Sequence, residues 1–269
     1  MSNHDVVRHA TRYALPQVPT GEYHRLPLDW LLRDGTTYRE DRALGTKRAR
    51  AAIMMEMALP GSAYVYQGEE LGLFEVADIP WDELEDPSAW RTSRSASTKG
   101  RDGCRVPLPW VAADAPQLDD PNDEFGHGGS FGFSPADAKA EPHLPQPKWY
   151  KDFAVDVESA DPDSMLNLYR RVLALRHELQ TTDLSLEWLP EDQPGKVHDG
   201  ANGFPGGTIA YRRANGLGLD HQLRRRTDHV AARRSAADIR TAYRTTASCR
   251  KIPALGSNWP IDRTQDAPI

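Results

Sequence analysis

The stretch Leu59-Pro60-Gly61-Ser62-Ala63-Tyr64-Val65-Tyr66-Gln67-Gly68-Glu69-Glu70-Leu71-Gly72 decides how the fold is interpreted. Pro60 and Gly61 end a helical pattern, and Ser62–Tyr66 is a short apolar and aromatic run. Such composition is typical of a parallel strand that is covered on both faces. Polar residues that follow such a strand lie at its carboxyl end, where the active sites of α/β barrels are located. We therefore predict a buried strand at Ser62–Tyr66, followed by a turn that shapes the floor of a pocket.

The adjacent carboxylates of this turn, Glu69 and Glu70, do not form a catalytic pair by themselves. Neighbouring residues of an extended chain point to opposite faces, so the two cannot flank one scissile bond. We interpret Gln67, Gly68 and Glu70 as structural residues at the end of the strand.

Helical and strand patterns surround this stretch. Residues 42–59 read as a helix whose second half is apolar nearly all round, so we expect it to be packed on more than one side. Asp161 followed by Pro162 predicts the start of a second helix, which continues to about Leu179. Residues 184–189 and 208–212 read as strands of a small β unit. Residues 74–150 form a long segment without a period, which is functional or contains small elements of its own.

Composition limits the class of protein. No run in the 269 residues approaches the roughly 20 apolar residues of a membrane-spanning helix. The first residues lack the features of a signal peptide, and the two cysteines, Cys104 and Cys249, lack metal-ligand spacing, which indicates free thiols in a cytoplasmic protein. The net charge of −6 argues against nucleic acid as the main partner. The charge is uneven, with +5 in residues 216–269 and −11 before them.

Four blocks of sequence carry a resemblance. They are Asn3-His4-Asp5 with Arg8, Pro60–Gly72, Arg101-Asp102-Gly103-Cys104-Arg105-Val106-Pro107, and Asp161-Pro162-Asp163-Ser164 with its helix. In this order they resemble the α-amylase superfamily of glycoside hydrolases (family 13), in particular its α-glucosidase and oligo-1,6-glucosidase branch. The resemblance covers roughly residues 2–215.

The resemblance implies an α/β fold, namely the C-terminal portion (strands 7 and 8) of a (β/α)8 barrel followed by an incomplete antiparallel β domain. Residues 1–180 would belong to the barrel and 181–215 to the start of the β domain. The residues 216–269 would be a tail outside the family, frameshifted or disordered. The Asn3-His4-Asp5 block would end the seventh strand and Ser62–Tyr66 would be the eighth.

The resemblance also implies a function, the hydrolysis of α-glucosidic bonds in short oligosaccharides with retention of configuration. Asp5 would be the transition-state stabiliser, and His4, Arg8 and Arg105 would bind the sugar. No metal or organic cofactor is implied. The nucleophilic Asp and the acid/base Glu of the family come from the fourth and fifth strands. Those strands would precede Met1, so we expect the chain alone to be catalytically incomplete.

Alternative interpretations stay open at this point. His4 and Asp5 could be merely solvated, and Arg8 could contact a neighbouring subsite or pair with a carboxylate. Arg101 and Asp102 could pair with each other. Five aromatic residues suit sugar stacking, but loop aromatics more often anchor a loop to its core: Trp81, Trp90, Trp110, Trp149 and Tyr150.

Two other classes of function remain as alternatives. The arginines at 224–226 and 233–234 could bind nucleic acid through phosphate contacts, although no aromatic platform or motif accompanies them. The chain could also be a non-catalytic, glycosidase-like binding subunit, which would require an intact barrel without the carboxylates.

Overall fold

The computed structural model describes residues 1–16, 25–91, 98–179, 182–189, 208–213, 217–222 and 247–251. Its α-helices are α1 (His9–Ala14), α2 (Arg25–Leu32), α3 (Arg42–Ala58), α4 (Pro87–Arg91), α5 (Val155–Ala160) and α6 (Met165–Glu178). Short 3-10 helices lie at Trp81–Glu83, Asp102–Cys104, Ala112–Asp114 and Lys148–Phe153. The long segment between residues 74 and 150 therefore contains small elements, as one of the two interpretations predicted.

Helix α3 confirms the helix predicted at 42–59. Asp41 caps its start, because the Asp41 Oδ1 accepts the backbone N–H of Leu44 at 3.0 Å. Gly61, with φ of 88°, follows its end. The second half is buried on several sides, as predicted from its apolar character, with Ile53 fully buried and Met57 nearly so.

Helix α6 confirms the second predicted helix but corrects its cap. The structure begins the helix at Met165, and the Ser164 Oγ accepts the backbone N–H of Asn167 at 3.1 Å. Asp161, the predicted cap, lies one turn earlier and accepts the N–H of Asp163 at 2.9 Å. The prediction was wrong because Asp161 closes a turn of its own. At the start of the helix, the N–H of Asn167 is accepted by Ser164 and that of Leu166 by Glu158 Oε2 at 2.9 Å.

Replacing this cap gives a first prediction. We expect Ser164→Ala to lower the free energy of unfolding by about 1 kcal/mol, because a buried helix start loses its acceptor. Urea unfolding of the chain measures the change, with Ser62→Ala at an exposed serine as the matched control. Equal stability of the two variants would contradict Ser164 as the cap.

The strands form one antiparallel sheet within the described residues. They are β1 (Leu186–Leu189), β2 (Thr208–Arg213), β3 (Leu217–Gln222) and β4 (Ala247–Lys251), in the order β1-β2-β3-β4. Strands β1 and β2 confirm the β unit predicted at 184–189 and 208–212, and Trp188 is paired with Tyr211 in their register. Strands β3 and β4 lie in the region after residue 216, where the sequence showed no period.

The predicted strand at Ser62–Tyr66 does not form in the structure. These residues carry no strand pairing, and the Tyr64 side chain is 80% exposed instead of covered. A parallel strand exists only through hydrogen bonds to neighbours. The described strands pair only with one another, so this run has no partner among them.

The chain divides into two compact units, Met1–Arg50 with Tyr64–Arg171, and Ala51–Ala63 with Val172–Ile269. Among the described residues of the first unit, one apolar cluster lies around Leu71, Phe131 and Tyr150 and another lies around Trp30. The second unit buries Ala58 and Tyr211, with Trp188 against them. The domain boundaries predicted at 180 and 215 stay a prediction. None of the helices in the described ranges is both long and apolar enough to cross a membrane.

Candidate active site

The turn after Tyr66 is built around a glycine. Residues 67–72 form consecutive turns, and Gly68 has a φ of 82°. This positive φ favours glycine, and a Cβ here would lie 2.8 Å from Leu73 Cδ1 and 2.9 Å from Arg8 Nη1, so both side chains would have to shift. The prediction of a structural turn at Gln67 and Gly68 is therefore confirmed.

The Asp5 carboxylate lies at the surface between two arginines. Its side chain is 49% exposed, and its Oδ1 accepts a hydrogen bond from Arg101 Nη1 at 2.6 Å. Arg105 Nη2 is 3.6 Å from the same oxygen, and His4 Nε2 is 3.2 Å from Oδ2. The structure thus brings together three of the predicted site residues, Asp5, His4 and Arg105, and adds Arg101.

Arg105 also fixes the backbone of this loop. Its Nε and Nη2 donate to the carbonyl oxygen of His4 at 3.0 and 2.9 Å. Asn3 closes the same turn, because its Oδ1 accepts the N–H of Asp5 at 2.7 Å. The Asp5 carboxylate is therefore presented by a loop that is held from both sides.

Arg101 does not pair with Asp102, so that interpretation was wrong. Its Nε donates to Asp86 Oδ2 at 2.6 Å and its Nη2 to Asp86 Oδ1 at 3.2 Å. Asp102 faces away, because its Oδ2 accepts the backbone N–H groups of Glu85 and Asp86, each at 2.8 Å. Hydrogen bonds from Arg101 hold the pKa of Asp86 well below its usual range, and the bonds to Asp86 and Asp5 raise the pKa of Arg101.

Arg8 is buried, with 1% of its surface exposed. Its Nη1 donates to the carbonyl oxygen of Gln67 at 3.0 Å and its Nη2 to that of Cys104 at 2.8 Å. The guanidinium lies over the Tyr66 ring, 5.4 Å from its centroid. Arg8 thus joins the Asn3-His4-Asp5 loop to the turn and to the loop that carries Arg101 and Arg105.

A buried polar cluster lies below the same loop. Glu69 Oε2 accepts the backbone N–H of Ser2 at 2.9 Å, and its Oε1 accepts the Tyr169 hydroxyl at 2.8 Å. The Ser2 hydroxyl oxygen is 2.7 Å from His9 Nδ1. Burial lowers the pKa of His9 from 6.5 to about 4, so the ring is neutral at pH 7. Glu69 therefore serves as a structural carboxylate that bonds to the Ser2 backbone and to the Tyr169 hydroxyl.

Most of the loop aromatics anchor the loop, which was the second of the two interpretations. Trp81 and Trp149 pack against the cluster that contains Tyr150, and Tyr150 is fully buried. The indole N–H of Trp90 donates to the carbonyl oxygen of Leu84 at 2.8 Å. Trp110, at 48% exposure, is the most exposed residue of the five.

The arrangement presents one carboxylate among arginines and a histidine at a surface. Such a group can accept hydrogen bonds from adjacent sugar hydroxyls and oppose a positive charge that develops beside them. Within the described ranges, no group of three or more His, Cys, Asp or Glu side chains is placed to hold a metal ion. Sequence reasoning missed Asp86, although Asp86-Pro87-Ser88 has the same Asp-Pro signal as the start predicted for α6.

Comparison with known proteins gives a family match. The family model described as "Alpha amylase, catalytic domain" matches residues 31–183, which is more than half of the chain. The chain is also similar to a probable alpha-glucosidase from Rhizobium meliloti (strain 1021), with 32% identity over 175 residues. That match covers 65% of this chain and 23% of the relative.

Two further known proteins are also similar to this chain. A probable oligo-1,6-glucosidase 3 from Bacillus subtilis (strain 168) is 26% identical over 180 residues, which cover 60% of this chain and 28% of the relative. The crystal structure of an alpha-glucosyl transfer enzyme, XgtA, is similar with a TM-score of 0.50 and 28% identity, and covers 83% of this chain and 31% of that one. The chain thus spans less than a third of the length of each of these proteins.

Proposed function

Because the chain belongs to the alpha-amylase catalytic-domain family, we propose that it is part of an α-glucosidase that hydrolyses short α-linked oligosaccharides with retention of configuration. The observation that carries this proposal is the exposed Asp5 carboxylate, held between Arg101 and Arg105 beside His4. Relatives with α-glucosidase and oligo-1,6-glucosidase names support the same chemistry.

We propose distinct roles for the site residues. Asp5 stabilises the oxocarbenium-like transition state by accepting hydrogen bonds from hydroxyls beside the reacting carbon. His4 and Arg105 contact sugar hydroxyls, and the predicted sugar contact of Arg8 stays a prediction. The guanidinium of Arg8 bonds to protein carbonyls, which supports a role in holding the loop. The nucleophilic Asp and the acid/base Glu would come from sequence that precedes Met1.

The same proposal includes a complete (β/α)8 barrel, of which this chain would supply only a part. Residues 1–180 would complete a (β/α)8 barrel with the strands that precede them. The exposed Tyr64 and Val65 support this arrangement, because neighbouring strands would cover them. A cytoplasmic location is also proposed, and the free thiol of Cys104 is in keeping with it.

A hydrolysis assay tests the function. The reading frame that contains this chain is expressed together with its upstream sequence and assayed on p-nitrophenyl α- and β-glucosides, with residues 1–269 alone as the comparison. We expect hydrolysis of the α-glucoside by the longer protein and none by the chain alone. Absence of α-glucoside hydrolysis by the longer protein, or equal rates on both anomers, would contradict the proposal.

One similarity favours a second candidate, which is glucosyl transfer. The XgtA structure is that of an alpha-glucosyl transfer enzyme. A glucosyl-enzyme intermediate can be intercepted by an alcohol as well as by water. Product analysis with an added alcohol acceptor distinguishes the two, since a transferase forms the glucoside at the expense of free glucose. The nucleic-acid alternative has no such support, because residues 224–226 and 233–234 lie outside the described residues.

A further inference from the structure

Asp86 is a buried carboxylate, and three of its side-chain hydrogen bonds come from Arg101, which contacts the candidate active site. Its side chain is fully buried. Oδ2 accepts both the backbone N–H of Arg101, at 2.9 Å, and its Nε, at 2.6 Å. Oδ1 accepts the N–H of Ser88 at 2.9 Å and Arg101 Nη2 at 3.2 Å. Asp86 thus holds Arg101 by its backbone and by two sides of its guanidinium.

The other end of Arg101 is the end that meets Asp5. The Nη1 that Asp86 leaves unused donates to Asp5 Oδ1 at 2.6 Å. The Arg101 side chain is 40% exposed and that of Asp5 is 49% exposed. A half-exposed arginine loses side-chain rotamer entropy when it is fixed in one conformation. The buried Asp86 therefore fixes the conformation of Arg101, and the fixed Arg101 in turn holds the half-exposed Asp5 carboxylate.

We propose that Asp86 is a positioning residue that acts through Arg101 to orient the Asp5 carboxylate. This inference rests on the proposed function, in which Asp5 meets the sugar. Asp102 holds Asp86 in turn, because its Oδ2 accepts the backbone N–H of Asp86 at 2.8 Å. An ionised Asp86 is required, since an amide at this position would turn N–H groups toward the guanidinium, which has donors only.

Kinetics of the longer α-glucosidase test the proposal. Asp86→Asn is expected to lower kcat about 100-fold with little change in KM, because a small misplacement of a transition-state group has an effect of that size. Asp86→Glu, which keeps the charge but moves it by one methylene, is expected to cause a smaller loss. If Asp86→Asn does not fold, the kcat of Asp86→Glu decides whether Asp86 positions the Asp5 carboxylate. Asp82→Asn, at a nearby exposed aspartate, is the matched control and should retain parental activity.

Two further measurements separate positioning from a merely structural role. In an Arg101→Gln background, Asp86→Asn should cause no additional loss of kcat, because its route to Asp5 is already cut. In NMR spectra of protein with labelled arginine, the Arg101 Nε–H should exchange slowly with water in the parent and rapidly in Asp86→Asn.

The outcomes are distinct. Parental kcat in the Asp86 variants, or an undiminished loss in the Arg101→Gln background, would overturn the proposal. If the parent protein hydrolyses no α-glucoside, the proposed function fails, and the Arg101 Nε–H exchange alone judges whether Asp86 positions Arg101. Slow exchange that persists in Asp86→Asn would then overturn the inference.

Discussion

In the proposed α-glucosidase, expressed with the sequence upstream of this chain, Asp5→Asn is expected to lower kcat/KM about 10³-fold, the upper end of what removal of one preorganised electrostatic contact costs. Asparagine keeps the size of the side chain and one acceptor oxygen but removes the negative charge. The loss should fall mainly on kcat, because the charge opposes a positive centre that exists only in the transition state. Hydrolysis of p-nitrophenyl α-glucoside measures the change.

Stability should hardly change in this variant, since the Asp5 side chain is half-exposed and its ion pairs lie at the surface. Thermal unfolding of Asp5→Asn, with Asp82→Asn as the matched control, checks this point. Activity within tenfold of the parent in a folded Asp5→Asn protein would remove Asp5 from the catalytic machinery.

Glu75→Gln is expected to stabilise the protein above neutral pH. The Glu75 carboxyl is buried, with 2% of the residue exposed, and its Oε2 accepts the backbone N–H of Arg8 at 2.7 Å. Burial raises the pKa of Glu75 from 4.5 to about 7. Glutamine keeps an acceptor oxygen for the Arg8 N–H, but it carries no charge that folding must desolvate.

The sign of the pH dependence follows from proton binding. Between pH 4.5 and 7 the folded protein holds a proton on Glu75 that the unfolded chain has lost, so stability falls as pH rises through this window. Above pH 7 both states are ionised and the full cost is present. With 1.36 kcal/mol for each pKa unit, that cost is about 3 kcal/mol. The variant should exceed the parent by this amount at pH 8 and by almost nothing at pH 4.5.

His9 contributes a slope of the opposite sign. Its pKa is lowered from 6.5 to about 4, so the unfolded chain binds the extra proton and stability rises with pH between these values. The two slopes offset each other in the parent, and the difference in stability between Glu75→Gln and parent isolates the contribution of Glu75. Urea unfolding at pH 4.5, 6, 7 and 8 measures it, with Glu85→Gln at an exposed glutamate as the control. A variant no more stable than the parent at pH 8 would contradict the buried charge.

Local signals in the sequence predicted the elements that depend on local physics. Helices α3 and α6 follow from apolar spacing and from punctuation by proline and glycine. Strands β1 and β2 follow from short apolar runs bounded by breakers. The cap of α6 was misassigned because Asp161 and Ser164 both carry acceptors at plausible positions, and only the backbone geometry selects between them.

Contacts between residues that lie far apart in the sequence could not be predicted from such local signals. Ser62–Tyr66 has the composition of a strand, but strand formation depends on neighbours, and none of the described strands pairs with it. Arg101 lies next to Asp102 in sequence, yet it pairs with Asp86, which is 15 residues away. The candidate site residues Asp5, His4 and Arg105 were predicted from a resemblance to a family, which carries long-range information that composition does not, and their roles in binding and catalysis stay a prediction.

The anomeric configuration of the first product tests the central claim most directly. The longer protein is mixed with p-nitrophenyl α-glucoside, and the proton NMR spectrum of the sugar is recorded before the anomers of glucose equilibrate. A retaining α-glucosidase releases α-glucose first, with β-glucose appearing later by mutarotation. Initial release of β-glucose, or no release of glucose under conditions in which the protein is folded, would contradict the account.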